Sequence, residues 1–313
     1  MMAGSMIWHG FRALAVVCGI GLTAAVSADE KPRDPLAFET TDTRLKLDLE
    51  AGIQVVNESR GFWNLSRVFA PTNPFRTSMT WGEAYLKPGL TLEHRLGDGF
   101  TVYGGASLIA GYTPGRDLFD IDNTGRVLME NAYAGLRYGM AGKGFSADVS
   151  AGAQPYRIGS GMLISDGASD GFERGALIFG PRAAWAQTVV ARAGYDAVSV
   201  TGFYLDPNEY ASNDSRTRLA GVNAVYAPDK ARMLGVAYGR VLGSEAPYPQ
   251  AAPGGVGIPA ILSNARGDLS FINVYGRWSP FSSLPDLWIA GDVAYQWNTR
   301  INMRASAGRA EVG

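Results

Sequence analysis

The sequence predicts an all-β fold built from antiparallel strands, and three observations support this prediction. Apolar and polar residues alternate along successive segments of the chain. Glycine accounts for 40 of 313 residues and tyrosine for 14, whereas only 18% of residues are charged. Short connections rich in Gly, Asp and Pro alternate with long ones. Together these features predict a transmembrane antiparallel up-and-down β-barrel of the bacterial outer membrane.

The composition argues against several other classes of protein. The net charge is −1, from 28 basic and 29 acidic residues without a basic block, so we expect no nucleic-acid partner. A hydrophobic share of 46% argues against disorder. One cysteine excludes a disulfide scaffold and a cysteine-built zinc site. We therefore expect neither a cofactor nor an enzymatic activity.

Residues 1–28 have the pattern of a secretory signal peptide. Arg12 supplies the positive charge, residues 13–28 are uncharged, and Val26-Ser27-Ala28 places small residues at a cleavage site. Cys18 is either an ordinary apolar residue of this signal or a lipidation site. The predicted organisation is a signal peptide at 1–28, a periplasmic N-terminal segment at 29–42 and a β-barrel domain at 43–313.

The alternation of side chains predicts eleven strands. In residues 44–56 every second residue is apolar, and charged or polar residues occupy most of the positions between. This segment is long for a strand of a soluble β-sandwich, the alternative fold, but suits a tilted membrane strand of about 9–11 residues or more. The predicted strands are 44–56, 83–96, 100–112, 131–138, 145–154, 184–193, 197–206, 216–227, 231–242, 272–278 and 289–298.

The connections between these strands alternate in length. The short ones lie near 97–99, 141–144, 194–196, 228–230 and 280–285. The long ones are 58–80, 113–128, 157–182, 207–215 and 243–268. Outer-membrane barrels have short periplasmic turns and long external loops, so we expect the N-terminus in the periplasm. We also expect loop 157–182 to narrow the lumen.

The last residues leave two possibilities for the strand count. Eleven strands are an odd number, whereas bacterial barrels normally have an even one. We therefore expect that the chain is truncated at its C-terminus. The alternative is a twelve-stranded barrel in which residues 301–313 form the last strand.

One segment carries a resemblance to a known family. Residues 151–163 resemble the G-R-Q…G-S-G-R-L stretch of the alginate export family of outer-membrane porins. The matching residues are Gly152, Gln154, Gly159, Ser160, Gly161 and Leu163. Two arginines of the family pattern are replaced by Ala153 and Met162. The resemblance implies a monomeric barrel of about 18 strands, exporting or admitting an acidic polysaccharide or a related polar solute.

The polar faces of the predicted strands supply the candidate residues of a channel wall. A pore selects solutes by its width, its charges and its hydrogen-bond donors, and arginine pairs well with carboxylates. The alternative is that opposite charges neutralise one another between strands. The candidates are Arg44, Lys46, Asp48, Glu50, Glu83, Lys87, Glu93, Arg95, Arg137, Asp148, Gln154, Arg192, Arg277 and Asp292, together with Arg218.

Two further sets of residues are candidate chemical sites. Asp117, Asp120 and Asp122 have the oxygen ligands of a weak calcium candidate, although no glutamate closes the site. His94 is the only histidine after the signal peptide, and a barrel enzyme would need it beside a nucleophile. An interfacial histidine is the simpler interpretation.

The sequence thus predicts an outer-membrane channel that passes polar or anionic solutes, such as an alginate-like acidic polysaccharide. The expected partners are outer-membrane lipid and the solute, and the expected state is a monomer. The alternatives are a plugged structural or adhesive barrel and an outer-membrane barrel enzyme.

Overall fold

A computed structural model describes residues 36–140, 142–229, 231–281 and 286–313. The predicted signal peptide, Cys18 and the first part of the predicted periplasmic segment lie outside the described residues. So do single positions of two predicted turns, 141 and 230, and residues 282–285 of a third.

Fifteen strands occupy most of the described chain. They are β1 (Leu36–Glu39), β2 (Thr43–Glu58), β3 (Met79–Gly97), β4 (Phe100–Arg116), β5 (Asp122–Met140), β6 (Lys143–Pro155), β7 (Ala184–Tyr195), β8 (Val198–Asp206), β9 (Arg218–Tyr226), β10 (Arg232–Gly243), β11 (Tyr248–Gln250), β12 (Ala260–Leu262), β13 (Ser270–Trp278), β14 (Ile289–Asn298) and β15 (Met303–Val312). The described helical segments are one α-helix, α1 (Ser66–Phe69), and short 3₁₀ turns.

Within the described residues, thirteen strands form one antiparallel up-and-down sheet. Each strand pairs with the next along the chain, except that β10 pairs with β13 because β11 and β12 form a separate hairpin. No ladder joins β15 to β1 or β2 in the described part of the chain. The all-β, antiparallel up-and-down arrangement of the predicted barrel is confirmed.

The polarity of this sheet is inverted with respect to a water-soluble protein. Leu49 and Ile53 on one face of β2 are 72% and 85% exposed. On the opposite face of the sheet, Glu83 is 1% exposed and Asp292 is 2% exposed. A soluble protein rarely leaves so much contiguous apolar surface in water, whereas a lipid bilayer covers it. The sheet therefore turns its apolar face outward to lipid and its polar face inward.

None of the described helices is long and apolar enough to cross a membrane.

Every predicted strand overlaps an observed one, and β2 to β7 are longer than predicted, whereas β8 and β9 are slightly shorter. β3 and β5 each extend over 19 residues. The predicted long loop 113–128 is wrong, because Thr113 pairs with Thr124 and Arg116 with Asp122. Only a turn at 117–121 remains, so long and short connections do not alternate strictly.

The two ends of the sheet also differ from the main prediction. Residues 301–313, the alternative twelfth strand, contain β15, which pairs with β14. The predicted periplasmic segment 29–42 contains β1, which folds back along the start of β2. Glu39 of β1 forms a 2.9 Å ion pair with Arg44 of β2. The sheet thus begins earlier in the chain than the alternation of residues predicts.

Pro88 shows how the sheet accommodates a residue without a backbone N–H. It lies on the outward face of β3, opposite Leu49 of β2. On its other side the pairing with β4 is interrupted between Leu86 and Gly89. Proline is tolerated where a strand does not need to donate a ladder hydrogen bond.

We predict that Leu49→Arg destabilises the protein in a bilayer by about 2–4 kcal/mol, because it places a charge on the lipid-facing surface near mid-strand. Unfolding in urea of the protein refolded into phospholipid vesicles measures this change. Asp48→Arg, which puts the same residue on the inward face, is the control and should have a smaller effect. Equal stability of Leu49→Arg and the parent protein would contradict the inverted polarity.

Candidate functional site

The connection between β6 and β7, residues 156–183, folds inward over the polar face of the sheet. We call it the inward loop. Its Ser160 hydroxyl donates to Asp292 Oδ2 on β14 at 2.5 Å. Near its other end, the Ile178 N–H donates to Glu83 on β3 at 3.0 Å. Because one loop contacts strands from both ends of the sheet, the sheet must curve around it.

Glu83 fixes the inward loop to β3. Its carboxylate accepts the backbone N–H groups of Ile178 and Phe179 at 3.0 Å. It also accepts the Trp81 indole N–H and the Gln54 amide, both at 3.0 Å. Hydrogen bonds from several donors offset the cost of burying a carboxylate. The predicted lumen residue Glu83 thus anchors the loop instead of lining open space.

Glu130 forms a second anchor on β5. It accepts the N–H groups of Ala183 and Ala184 at 2.7 and 2.9 Å, and Arg182 Nε donates to it at 2.9 Å. Both side chains of this ion pair are at least 97% buried. Ser107 pairs with Asn131 and Leu108 with Met129, so Glu130 is an extra residue in a β-bulge. The bulge turns Glu130 and Asn131 to the same, inward face.

An apolar cluster holds the first part of the inward loop against strands β7 to β13. Ile158 and Ile164 of the loop are buried against inward-facing residues of these strands. Their wall partners include Phe203, Leu205 and Tyr275. This side of the inner face is therefore filled by side chains, in contrast to the side formed by β2 to β6.

A cavity of about 840 Å³ lies beside the loop on the inner face. The loop contributes Tyr156 and Arg157, and the N-terminal residues Glu39–Arg44 contribute one rim. Of the predicted lumen residues, the cavity wall contains Arg44, Glu93, Arg95, Arg137, Asp148 and Arg192. The structure thus brings together residues that lie almost 150 positions apart in the sequence.

Strand register arranges the cavity charges in a row across the sheet. Arg95 pairs with Thr101, which pairs with Arg137, and the row continues through Asp148 to Arg192. Beyond Arg192 the same row continues through Thr201, Asn223, Ala237 and Asn273. We call this set the polar row. Three arginines and one aspartate therefore lie in one row of paired residues, with Thr101 between Arg95 and Arg137.

The arginines of this row differ in their partners. Arg137 donates to Asp148 at 3.0 Å, lies 3.7 Å from Glu93 and stacks over the Tyr103 ring. Arg192 donates to the Ser199 hydroxyl at 3.0 Å. Among the described residues, neither Arg95 nor Arg192 has an acidic partner within 4.0 Å. These two guanidinium groups leave positive charge available to a solute, because no neighbouring carboxylate neutralises them.

A second cavity has a volume of about 690 Å³. Of the predicted lumen residues, Asp48, Glu50 and Lys87 contribute to its wall. Lys87 Nζ lies 2.7 Å from Glu50 and also donates to the Pro181 carbonyl of the inward loop at 3.1 Å. The charges here are largely paired, and the excess is acidic. Among the predicted lumen residues, arginines thus outnumber carboxylates in the larger cavity, whereas carboxylates outnumber the one lysine in the second.

No protein-family model and no curated protein matches the chain. Among solved structures, it is similar to Salmonella typhi OmpF in complex with daunomycin, with 12% identity, 87% of this chain and 86% of that chain covered, and a TM-score of 0.39. It is also similar to OccAB4 of Acinetobacter baumannii, with 11% identity, 89% and 77% coverage, and a TM-score of 0.37. For a FadL homologue of Pseudomonas aeruginosa the identity is 13%, the coverage is 88% and 73%, and the TM-score is 0.31. A likeness of this degree does not carry a function from one protein to another.

The residues of the resemblance motif form the entry to the inward loop. Gly152 lies at an irregularity between β6 and β7, where a Cβ atom would come within 2.2 Å of the Ala132 carbonyl oxygen. Gly159 has a φ of +55° and packs against the Tyr275 ring. Gly161 also has a positive φ, Ser160 bonds to Asp292, and Leu163 packs on the apolar cluster. The backbone conformation and packing at the loop entry therefore explain why these residues occur in the motif. The explanation does not depend on which solute crosses the channel.

Four remaining candidates lie away from the two cavities. The Gln154 amide donates to Ser150 and Thr188 within the wall. The Arg277 guanidinium stacks over the Trp288 ring at 4.4 Å. Lys46 faces inward opposite Thr91, and Arg218 begins β9. Their roles as solute contacts stay predictions.

The calcium candidates do not converge on one point. Asp117 accepts the N–H groups of Phe119 and Ile121, and burial in this turn raises its pKa. Asp120 pairs with Arg116, and Asp122 accepts from Asn123. No group of three or more acidic, His or Cys residues that could hold a metal ion occurs in the described ranges.

His94 likewise has a simple contact. Its Nδ1 lies 2.8 Å from the Thr43 hydroxyl, across the pairing of β3 with β2. The position is exposed and lies near the short-turn end of the sheet.

Sequence reasoning missed two of the residues that hold the loop in place. Glu130 and Arg182 did not belong to an alternating pattern, so no face could be assigned to them. The one available signal was the break of alternation at Met129-Glu130-Asn131, which marks the bulge.

We predict that Glu130→Gln lowers the free energy of unfolding by about 3–5 kcal/mol, because it leaves the buried Arg182 guanidinium without its counter-charge. Urea unfolding in detergent micelles measures the change. Glu93→Gln is the control, since its pairing with the half-exposed Arg137 contributes only about 0–1 kcal/mol. Similar losses for the two variants would contradict the anchoring role of Glu130.

Proposed function

We propose that the protein is an outer-membrane channel that passes polar solutes, with a preference for anions, through the larger cavity. The observation that carries this proposal is an arginine-lined cavity on the inner face of a sheet whose outer face is apolar. A solute crossing such a wall stays in contact with water and with charged groups, and never with lipid.

The preference for anions rests on Arg95 and Arg192. Both line the cavity and lie in the polar row, and neither is paired with a carboxylate within the described residues. Guanidinium groups bind carboxylates and phosphates through two parallel hydrogen bonds. An acidic saccharide of the alginate type is one such solute, and that choice rests on the motif at 151–163 alone.

The orientation follows from the lengths of the connections. Four of the described or partly described connections, β3–β4, β5–β6, β7–β8 and β9–β10, are short and lie at one end of the sheet. We assign this end and the N-terminus to the periplasm, as in other barrels. We further propose that the protein acts as a monomer and without a chemical step.

A second candidate is a plugged structural barrel, which the apolar cluster favours. That cluster fills the inner face of β7 to β13 with side chains. A barrel filled in this way throughout would pass no ions.

Single-channel recording of the refolded protein in a planar lipid bilayer separates these candidates. The proposed channel gives stable, water-filled conductance steps that scale with salt concentration. The absence of conductance from correctly folded protein would favour the plugged barrel and contradict the channel.

We predict that the double variant Arg95→Ala, Arg192→Ala lowers the ratio of chloride to potassium permeability several-fold. Removing both unpaired guanidinium groups leaves the acidic groups of the wall uncompensated. The reversal potential across a potassium chloride gradient measures the ratio. Arg277→Ala is the matched control, since Arg277 lies on Trp288 outside the cavity. An unchanged ratio in the double variant would refute the assigned role.

A further inference from the structure

Asp170 occupies the point where the inward loop turns back toward the wall. Its Oδ2 accepts the backbone N–H of Arg182 at 3.4 Å. Its backbone carbonyl accepts the hydroxyl group of Tyr210, from the connection between β8 and β9. Asp170 therefore touches both arms of the loop and a neighbouring connection. A change in its charge acts directly on the packing of the loop.

Glu130 accepts more and shorter hydrogen bonds from Arg182 and its neighbours than Asp170 does. Glu130 takes the Arg182 Nε at 2.9 Å and two backbone N–H groups at 2.7 and 2.9 Å. Asp170 takes only the long contact from the Arg182 backbone. When both carboxylates are ionised, Asp170 thus carries the less compensated of two neighbouring negative charges.

The other groups that face Asp170 do not remove this imbalance. Arg174 attracts the Asp170 charge from within the loop, but its guanidinium donates to the carbonyl oxygens of Ser169, Asn208 and Glu209. Tyr210 contacts only the Asp170 backbone. The charged and titratable neighbours are therefore Arg182, Glu130, Arg174 and Tyr210, and none of their side chains donates to the Asp170 carboxylate.

Burial raises the pKa of Asp170 to about 7, above its ordinary value, and the nearby Glu130 charge acts in the same direction. In a loop released into water the pKa would return toward about 3.9. The packed loop therefore binds the proton more tightly than the released loop. Protonation below about pH 7 favours the packed loop, and this stabilisation is lost as the pH rises through about 7.

We propose that the inward loop is a pH-dependent constriction that packs tightly in acid and loosens above neutral pH through ionisation of Asp170 beside Glu130. This inference rests on the proposed channel function. Loosening removes side chains from the larger cavity, since Tyr156 and Arg157 of the loop form part of its wall. The open-channel conductance then increases from acidic to alkaline pH.

Single-channel conductance of the refolded full chain at about pH 5 and about pH 9 tests the proposal, because these values bracket the titration of Asp170. We expect a larger conductance at the higher pH in the parent protein. Asp170→Asn mimics the protonated side chain, so it should retain the smaller, acidic conductance at both values. Glu173→Gln removes a carboxylate from the same loop and is the control, which should keep the parent response.

Difference infrared spectroscopy gives a readout that does not depend on conductance. The parent protein should contain a carboxyl group that loses its proton near neutral pH, and Asp170→Asn should lack that signal. If Asp170→Asn does not refold, the proposal is tested by the titration of the carboxyl signal in the parent protein. The same signal should persist in Glu173→Gln.

The outcomes separate this proposal from the channel function. A folded protein without conductance at either pH would contradict the channel itself. A conducting protein with pH-independent conductance, or with a larger conductance in acid, would overturn the proposal. So would a parent response that persists in Asp170→Asn, or the absence of a carboxyl group that titrates near neutral pH.

Discussion

The structure depends on hydrogen bonds between two buried wall carboxylates and the backbone of the inward loop. Glu83 and Glu130 project from β3 and β5 and accept N–H groups at residues 178–179 and 183–184. An irregular segment can lie inside a sheet only if its polar backbone groups find partners there. These carboxylates provide such partners, and in return the loop N–H groups offset the cost of burying the two charges. Neither the loop conformation nor the buried carboxylates would be stable alone.

This arrangement divides the inner face into two parts. The start of the loop adds apolar side chains to the inner face of β7 to β13, which becomes a packed core. The rest of the inner face keeps its polar side chains and lines a cavity, to which β7 to β9 contribute other residues such as Arg192 and Thr201. The position of the loop therefore determines which charges of the wall line the cavity. Within the described residues, Arg95 and Arg192 do not bind the loop and remain available to a solute. Glu83 and Asp292, in contrast, form hydrogen bonds with the loop.

The sequence predicted the features that depend on side-chain alternation and could not predict those that depend on the loop. Strand faces follow from a period of two, so Arg95, Arg137 and Asp148 could each be assigned to the polar face of a strand. Their meeting in one row required the register of each strand pair, which alternation alone leaves undetermined. Glu130 was missed because a bulge changes the face of a residue without any change in composition. β1 was missed because a segment of four residues is too short for a pattern.

The central claim is that β2 faces lipid on one side and water on the other. Spin labels placed one at a time along residues 47–54, in protein refolded into vesicles, test it by their collision rates with oxygen and with a polar nickel complex. We expect a period of two, with oxygen favoured at Leu47, Leu49 and Ile53, and nickel favoured at Asp48 and Glu50. Equal nickel access at all these positions, or the opposite assignment of the two faces, would contradict the inverted sheet.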